Sequence, residues 1–265
     1  MSTATVMALA DDVTISLSQT PAVIQKTIQS QEGDGTLGDI SKSTIDEETV
    51  YDVGLTAKDG TDRDFSVAED GTLLTVEVPL AETPVAAQSA IQTELNGGAL
   101  DSIDKNLADT EISYDVSGTA KDGKDRNFTV ADDGALLSLE VTLAATPDVV
   151  QKTIAAQLGN GKVQSISENF DEDGTNFDVE ATGPHKSFNV SADGTLTSER
   201  VVLARVPPKI KETIMNRIGD GTVLRVDKSL VRTMGVFPFQ VEGRKDGKSF
   251  NFSVGPRGRF LGMDQ

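Results

Sequence analysis

The stretch LAATPDVVQKTIAAQLGNGKVQSI, residues 143–166, holds the elements that decide the fold. It contains a Thr-Pro pair, an apolar helix face (Val150, Ile154, Leu158) and a glycine turn that leads into an apolar strand. Thr before Pro is typical of a helix start, with Thr as the N-cap and Pro at the first helical position. Apolar residues at every fourth position predict one buried helix face, and the following glycine predicts the helix end.

The same pattern occurs four times along the chain. Its prolines, Pro21, Pro84, Pro147 and Pro207, lie 63, 63 and 60 residues apart, and the same features follow each in the same order. Each predicted helix is followed by four strand patterns separated by Gly turns, and the fourth strand runs without a linker into the next helix. We therefore predict an α+β fold of four tandem units in an elongated array. Each unit is one α-helix packed on a four-stranded antiparallel β-meander.

The repeat also sets the predicted domain boundaries. Repeats 1 to 4 are expected at residues 13–75, 76–140, 141–200 and 201–265, and each is small enough to depend on its neighbours for stability. Residues 1–12 are either a short disordered tail or the remnant of a signal peptide. The apolar run before Asp11 resembles the end of a secretory signal with an A-x-A cleavage site.

Charge is distributed unevenly along this acidic chain. The net charge is −18 over 265 residues, but residues 1–200 carry 12 basic against 36 acidic side chains, whereas residues 201–265 carry 12 against 6. An acidic body argues against nucleic acid as a partner. No apolar run is long enough to span a bilayer, so we expect no membrane insertion.

Side chains for common catalytic and metal chemistry are scarce. There is no Cys, and the single histidine, His185, lies in a predicted turn. Zinc sites and Cys–His or Ser–His catalysis therefore lack their parts. The acidic turn Asp171-Glu172-Asp173-Gly174 could bind Ca²⁺ weakly, although a plain hairpin turn is the simpler interpretation. We predict no catalytic residue, no cofactor, no metal site and no enzymatic activity.

The fourth repeat departs most from the other three and is therefore the candidate partner surface. It adds basic residues and two extra phenylalanines, and Arg beside exposed aromatics is the usual composition of an interface hot spot. A second interpretation is that these residues cap the end of the array, as atypical terminal repeats often do. The candidate residues are Lys209, Lys211, Arg217, Arg225, Arg232, Phe237, Arg244, Lys245 and Phe250.

The chain resembles the PepSY-like, beta-lactamase-inhibitor-like domains of bacterial proteins over about residues 13–262. The resemblance implies a helix packed on a four-stranded sheet, a periplasmic or secreted location, and protein binding that is sometimes inhibitory. Its clearest copy lies in the third repeat. The residues that carry it are Thr146-Pro147, Gln151, Ile154, Gly159, Val163, Ile166, Phe177-Asp178-Val179, Phe188-x-Val190 and Asp193-Gly194.

Two functional hypotheses follow. The first is a non-enzymatic exported module that binds a protein partner and in one form inhibits a secreted hydrolase. The second is a structural or self-assembling surface protein whose basic fourth repeat docks on the acidic repeats of another copy. Self-association of that kind would be sensitive to salt, because salt screens exposed charges.

Overall fold

A computed structural model of the chain describes residues 13–45, 48–108, 111–171, 174–182, 187–233, 235–245 and 248–264. The described residues form two compact units. Unit 1 comprises residues 13–77 and 106–108, and unit 2 comprises the described residues of 78–105 and 111–264. Several sequence predictions lie outside the described residues. They are the tail at 1–12, the His185 turn and residues 172 and 173 of the acidic turn.

Seventeen strands, four α-helices and four one-turn 3-10 helices make up the secondary structure of the described residues. The first elements are β1 (Val13–Ile15), α1 (Ala22–Glu32), β2 (Thr36–Ile45), β3 (Glu48–Thr56), β4 (Phe65–Ala68) and β5 (Leu73–Glu77). Next come α2 (Val85–Leu95), β6 (Ala99–Asn106), β7 (Ser113–Thr119), β8 (Asp125–Ala131) and β9 (Leu136–Glu140). They are followed by α3 (Asp148–Leu158), β10 (Val163–Asp171), β11 (Gly174–Ala181), β12 (Ser187–Ser191) and β13 (Leu196–Arg200). The last are α4 (Pro208–Ile218), β14 (Thr222–Ser229), β15 (Phe239–Lys245), β16 (Lys248–Val254) and β17 (Phe260–Asp264).

The predicted fold class of four tandem units in an elongated array, each one α-helix on a four-stranded meander, is wrong, although α+β fits in part. The strands belong to one seventeen-stranded sheet, so the structure is mainly antiparallel β with four helices. Within unit 2, β9 pairs with β10 through Ser167 and Glu140, and β13 pairs with β14 through Arg200 and Asp227. A separate meander would leave one edge of its fourth strand with unpaired N–H and C=O groups. Pairing with the strand after the next helix satisfies those groups.

The helices begin one residue later than the Thr-Pro pattern predicted. Proline, not threonine, is the N-cap of each helix, and no N-cap side chain makes a capping hydrogen bond. The Thr146 hydroxyl instead donates to the Leu143 carbonyl at 2.9 Å, which closes a one-turn 3-10 helix before α3. Gln151 donates to the Thr146 carbonyl at 2.7 Å. The threonine side chain therefore stabilises the turn that precedes the helix, and it does not cap the first N–H groups of the helix.

Each helix buries its apolar face on the strands that follow it. In α1, Ile24 and Ile28 are fully buried against Tyr51, Val53 and Phe65. The other helices bury equivalent residues, at positions that the four-residue spacing predicted. They are Ala87, Ile91, Leu95, Val150, Ile154, Ile210, Ile214 and Ile218. No described helix has the length and apolar character that a membrane span needs.

The predicted Asp-Gly turns close the hairpins. Gly71 and Gly194 have φ angles of 87° and 85°, a left-handed conformation that glycine adopts without strain. In the second of these turns, the Asp193 carboxylate accepts a hydrogen bond from the Thr195 N–H at 2.9 Å. The Thr153 hydroxyl of α3 donates to the Gly194 carbonyl at 2.5 Å, which ties the helix to the turn.

Candidate functional site

One face of the sheet in unit 2 carries none of the helices that the described residues form. Along β11 and β12, Phe177, Val179 and Phe188 are buried in the core under α3. Asp178 and Asn189 alternate with them and are direct cross-strand partners on the opposite face. We call this opposite face of unit 2 the helix-free face.

A groove with a volume of about 450 Å³ lies on the helix-free face. Side chains from β10, β11, β12, β14, β15 and β16 line it, and nearly all of them are polar. We call it the polar groove. Its lining residues are Asn169, Asp171, Asn176, Asp178, Asn189, Arg225, Asp227, Gln240, Val241, Glu242 and Asn251.

Arg225 is the central cation of the polar groove. Its Nη2 donates to Asp178 Oδ1 at 3.2 Å, and its Nε donates to Asp227 Oδ2. The first contact joins β14 to β11 across the two strands between them, so this part of the sheet is concave. The guanidinium thus holds the two sides of the groove in a fixed position.

Electrostatics favour this arrangement of charges. Burial lowers the pKa of the Arg225 guanidinium, but the neighbouring carboxylates of Asp178 and Asp227 outweigh burial and raise that pKa above its usual value. Arg225 therefore stays charged, and the pairing is charge-assisted on both sides.

Two buried polar atoms of residues that line the polar groove, Asn189 Oδ1 and Asp227 Oδ1, lack hydrogen-bond partners. Among the described residues, four buried side-chain atoms have no hydrogen-bond partner, and all four lie on β12, β13 and β14. They are Ser187 Oγ, Asn189 Oδ1, Arg200 Nε and Asp227 Oδ1. A buried polar group without a partner costs ~1–3 kcal/mol. Such a concentration on three adjacent strands is unusual, because buried polar groups are nearly always hydrogen-bonded.

Amide side chains line one flank of the polar groove. Asn169 Nδ2 donates to Asn176 Oδ1 at 3.2 Å, and Asn176 Nδ2 donates to Asp171 Oδ2 at 2.7 Å. Each carboxamide both donates and accepts hydrogen bonds, so this flank can pair with either kind of group on a ligand.

A second, smaller groove of about 250 Å³ lies on the helix-free face between β6 and β10. Its lining includes Asp104, Asp115 and Glu140, and no basic residue is among the described side chains that line it. Asp115 stands at the position that Asp178 holds in the next repeat, directly after the buried aromatic. Its carboxylate accepts a hydrogen bond from the Thr129 hydroxyl at 2.7 Å.

Of the nine candidate residues from the sequence, only Arg225 lines the polar groove. Lys209, Lys211 and Arg217 lie on α4, where the Arg217 guanidinium carbon is 3.7 Å from the centre of the Phe260 ring. Phe250 stacks on the buried Phe252 with ring centres 6.0 Å apart.

The remaining candidates are also dispersed. Arg232 lies 5.3 Å from the ring centre of Phe237, which is 43% exposed, in the connection between β14 and β15. Arg244 is only 7% exposed, and burial lowers its pKa. Lys245 forms an ion pair with Asp220. The structure therefore does not bring the nine residues together.

The sequence reasoning missed the acidic and amide residues of the polar groove. Asp178 has equivalents at Asp52 and Asp115, so the sequence does not distinguish it from the recurring strand pattern. Strand alternation places these residues on the outer face, but it does not show which of them meet. The pairing of Arg225 with a residue 47 positions away depends on the curvature of the sheet.

Comparison with known proteins gives structural neighbours only. No protein-family model matches the sequence, and no curated protein is significantly similar to it. One similar solved structure is a protein from Bacteroides eggerthii that is proposed to be periplasmic. It shares 15% identity over 44% of this chain and 86% of that chain, with a TM-score of 0.34.

Two further neighbours are of the same kind. A BLIP-like protein from Bacteroides fragilis has 17% identity over 45% of this chain and 84% of its own, with a TM-score of 0.33. A protein from Bacteroides thetaiotaomicron, proposed to be periplasmic and calcium-regulated, has 15% identity over 48% and 97%, with a TM-score of 0.27. The PepSY-like, beta-lactamase-inhibitor-like resemblance and the four repeats stay predictions. A periplasmic or secreted location is also the prediction for this chain.

Proposed function

We propose that this chain is a non-enzymatic protein of the periplasm or the secreted fraction that binds another protein through its helix-free face. The observation that carries the proposal is the polar groove, which is wide, open and lined by side chains from six strands. Protein interfaces need such a surface, with polar groups held in place before the partner arrives.

The Arg225 ion pairs give the polar groove that rigidity. Asp178 and Asp227 hold the guanidinium from two sides, so its position does not have to be ordered when a partner binds. Unpaired acceptors at Asn189 and Asp227 add hydrogen-bonding capacity that the protein itself leaves unused. Both features support binding rather than a purely structural role for this face.

The finer predictions from the sequence are part of the same proposal. PepSY-like repeats at 13–75, 76–140, 141–200 and 201–265 would provide the strands of the binding face. Inhibition of a secreted hydrolase is one form of binding that the family resemblance implies. Salt-sensitive self-association through the basic fourth repeat is the alternative. Light scattering of the full chain at low and high salt separates it from binding as a monomer.

The test is affinity capture with the full chain from envelope and secreted fractions of the source organism. Gln240 lines the polar groove and is exposed, so Gln240→Trp should block the groove without disturbing the core. Thr129→Trp, in the second groove, is the matched control. We expect a partner that binds the wild type and Thr129→Trp but not Gln240→Trp. Equal capture by all three baits would place recognition elsewhere, and no specific capture by the wild type would refute the proposal.

A further inference from the structure

The end of helix α2 differs from the ends of the other three helices. Glycine directly follows α1, α3 and α4, at Gly33, Gly159 and Gly219, whereas Asn96 follows α2. Asn96 has a φ of 48° and a ψ of 42°, and it is the only described residue other than glycine with a positive φ. Asparagine tolerates this left-handed conformation better than most residues do, so it can replace glycine at a helix end.

Asn96 is itself followed by glycine, and an Asn-Gly pair is prone to a spontaneous reaction. The backbone nitrogen of the second residue can attack the side-chain carboxamide of the first, and glycine puts no side chain in the way of that approach. The sequence has two such pairs, Asn96-Gly97 and Asn160-Gly161, and both lie in turns between a helix and the next strand. Each molecule therefore contains its own comparison.

The turn after α2 leaves the reacting groups accessible. Asn96 and Gly97 are both exposed, and the Asn96 carboxamide makes no hydrogen bond within the described part of the chain. The Gly97 N–H likewise has no acceptor among the described residues. A Cβ atom placed on Gly97 would meet no atom within 4 Å beyond its chain neighbours. The peptide between the two residues therefore has room to rotate toward the carboxamide.

The turn after α3 holds the equivalent groups in place. The Gly161 N–H, whose nitrogen would attack Asn160, donates to the Leu158 carbonyl at 2.7 Å. A Cβ atom placed on Gly161 would overlap the Thr182 carbonyl oxygen, so this glycine is packed against the backbone that follows β11. The next N–H, that of Lys162, donates to the Thr182 hydroxyl at 2.9 Å. Gly161 therefore has to leave these contacts before its nitrogen can reach the carboxamide.

We propose that Asn96 is a site of spontaneous deamidation in the folded protein and that Asn160 is protected from it. The Gly97 nitrogen forms a bond to the side-chain carbonyl carbon of Asn96. The carboxamide nitrogen takes the proton of the Gly97 N–H and leaves as ammonia, and a succinimide ring remains. Water then adds to either ring carbonyl and breaks the bond between that carbonyl and the ring nitrogen. The product is aspartate, or isoaspartate in which the main chain runs through Cβ.

Either product weakens the end of α2. The Asn96 N–H closes the helix by donating to the Gln92 and Thr93 carbonyls, both at 3.1 Å. Both products place a negative charge beside these C-terminal carbonyls, where the helix dipole disfavours it. Isoaspartate also lengthens the main chain, which displaces Gly98, whose N–H donates to the Leu95 carbonyl at 2.9 Å. Because the Leu95 side chain is buried in a core of unit 2, we expect the modified protein to be less stable.

The test stores the folded full chain at mildly alkaline pH, which favours removal of the proton from the attacking nitrogen. Mass spectrometry of peptides, digested at acidic pH to stop the reaction, measures the acid formed at Asn96 and at Asn160 over time. We expect Asn96 to react about tenfold faster, because the other turn must first break a hydrogen bond and a packed contact. Equal rates, or a faster reaction at Asn160, would overturn the inference.

The same measurement in concentrated urea shows whether the folded structure sets the difference. Both Asn-Gly pairs are then in flexible chain, so their rates should agree within about threefold. A preference for Asn96 that persists in urea would assign the difference to the neighbouring residues and refute the structural argument. If Asn96 keeps its amide in the folded protein and loses it only in urea, the turn is protective and the proposal is wrong.

Two variants measure the effect on stability. Asn96→Asp carries one of the products from the start, whereas Asn96→Gly has the residue of the other helix ends and cannot react. Urea unfolding followed by Tyr114 in a Tyr51→Phe background reports on unit 2. We expect stored wild type and Asn96→Asp to unfold at lower urea than fresh wild type, and storage to leave Asn96→Gly unchanged. An unchanged midpoint in modified wild type, or an equal loss in stored Asn96→Gly, would contradict the predicted effect.

Discussion

Replacing Arg225 by methionine tests whether the polar groove is held together by charge. The change keeps an unbranched side chain but removes every hydrogen bond of the guanidinium to Asp178 and Asp227. Asp227, which is 9% exposed, is then a buried carboxylate without a cation. Removing one partner of a fully buried ion pair costs ~3–5 kcal/mol, whereas an exposed pair contributes ~0–1 kcal/mol. The side chains of Arg225, Asp178 and Asp227 are 23%, 31% and 12% exposed, so the pair lies between these limits. We expect a loss of about 2 kcal/mol in the free energy of unfolding.

Tyrosine fluorescence can follow this loss in unit 2 alone. The chain has two tyrosines and no tryptophan, so a Tyr51→Phe background leaves Tyr114 of unit 2 as the fluorophore. Urea titrations then give the free energy of unfolding with and without Arg225→Met. Adding Asp227→Asn should recover most of the loss, because the uncompensated charge disappears. A loss below about 0.5 kcal/mol in Arg225→Met would mean that water already screens the pair. An equally unstable double variant would assign the cost to packing instead of charge.

Three further predictions concern the core, a helix contact and a tyrosine. Ile154→Ala should lower the free energy of unfolding, measured by urea titration, by about 3–4 kcal/mol, because the side chain is fully buried. A loss under ~1 kcal/mol would mean that neighbouring side chains move in and fill the cavity. Thr153→Val removes the hydrogen bond to the Gly194 carbonyl and should lower the free energy of unfolding by ~1 kcal/mol in the same assay. An unchanged free energy would show that this hydrogen bond does not stabilise the fold. Burial and the hydrogen bond to Asp132 raise the pKa of Tyr114 from 10.0 to about 12, so its stabilising effect is complete below pH 10 and is lost as the pH rises through 12. An absorbance titration of the phenol in the Tyr51→Phe background measures this, and ionisation near pH 10 in the folded protein would contradict it.

The sequence predicted the local elements well because their causes are local. The helix face of Val150 and Ile154 follows from the four-residue period, and the turn at Asp193-Gly194 follows from the conformational freedom of glycine. The prediction that Thr146 is the N-cap of its helix is wrong, because Pro147 is the N-cap and the Thr146 hydroxyl closes the preceding 3-10 turn. Both candidate roles for its hydroxyl are local hydrogen bonds, and the sequence alone does not decide between them.

Prediction of the candidate site was much less complete. Arg225 was among the nine candidates because it is not repeated, and it does line the polar groove. Arg217 and Phe250 are also not repeated, but they contact the rings of Phe260 and Phe252, respectively. The sequence did not mark Asp178 and Asn189 as site residues, because polar and apolar residues alternate along β11 and β12 and these two follow that alternation.

The sequence by itself determined where helices, strands and turns form and which side chains enter the core, since these depend on residues a few positions apart. Only the tertiary structure decided that the strands join into one sheet, and that Arg225 on β14 reaches Asp178 on β11. Strand edges pair to satisfy backbone groups far apart in the chain, and the curvature of the joined sheet brings their side chains together. Neither effect can be deduced from a local sequence pattern, so the polar groove forms only in the joined sheet.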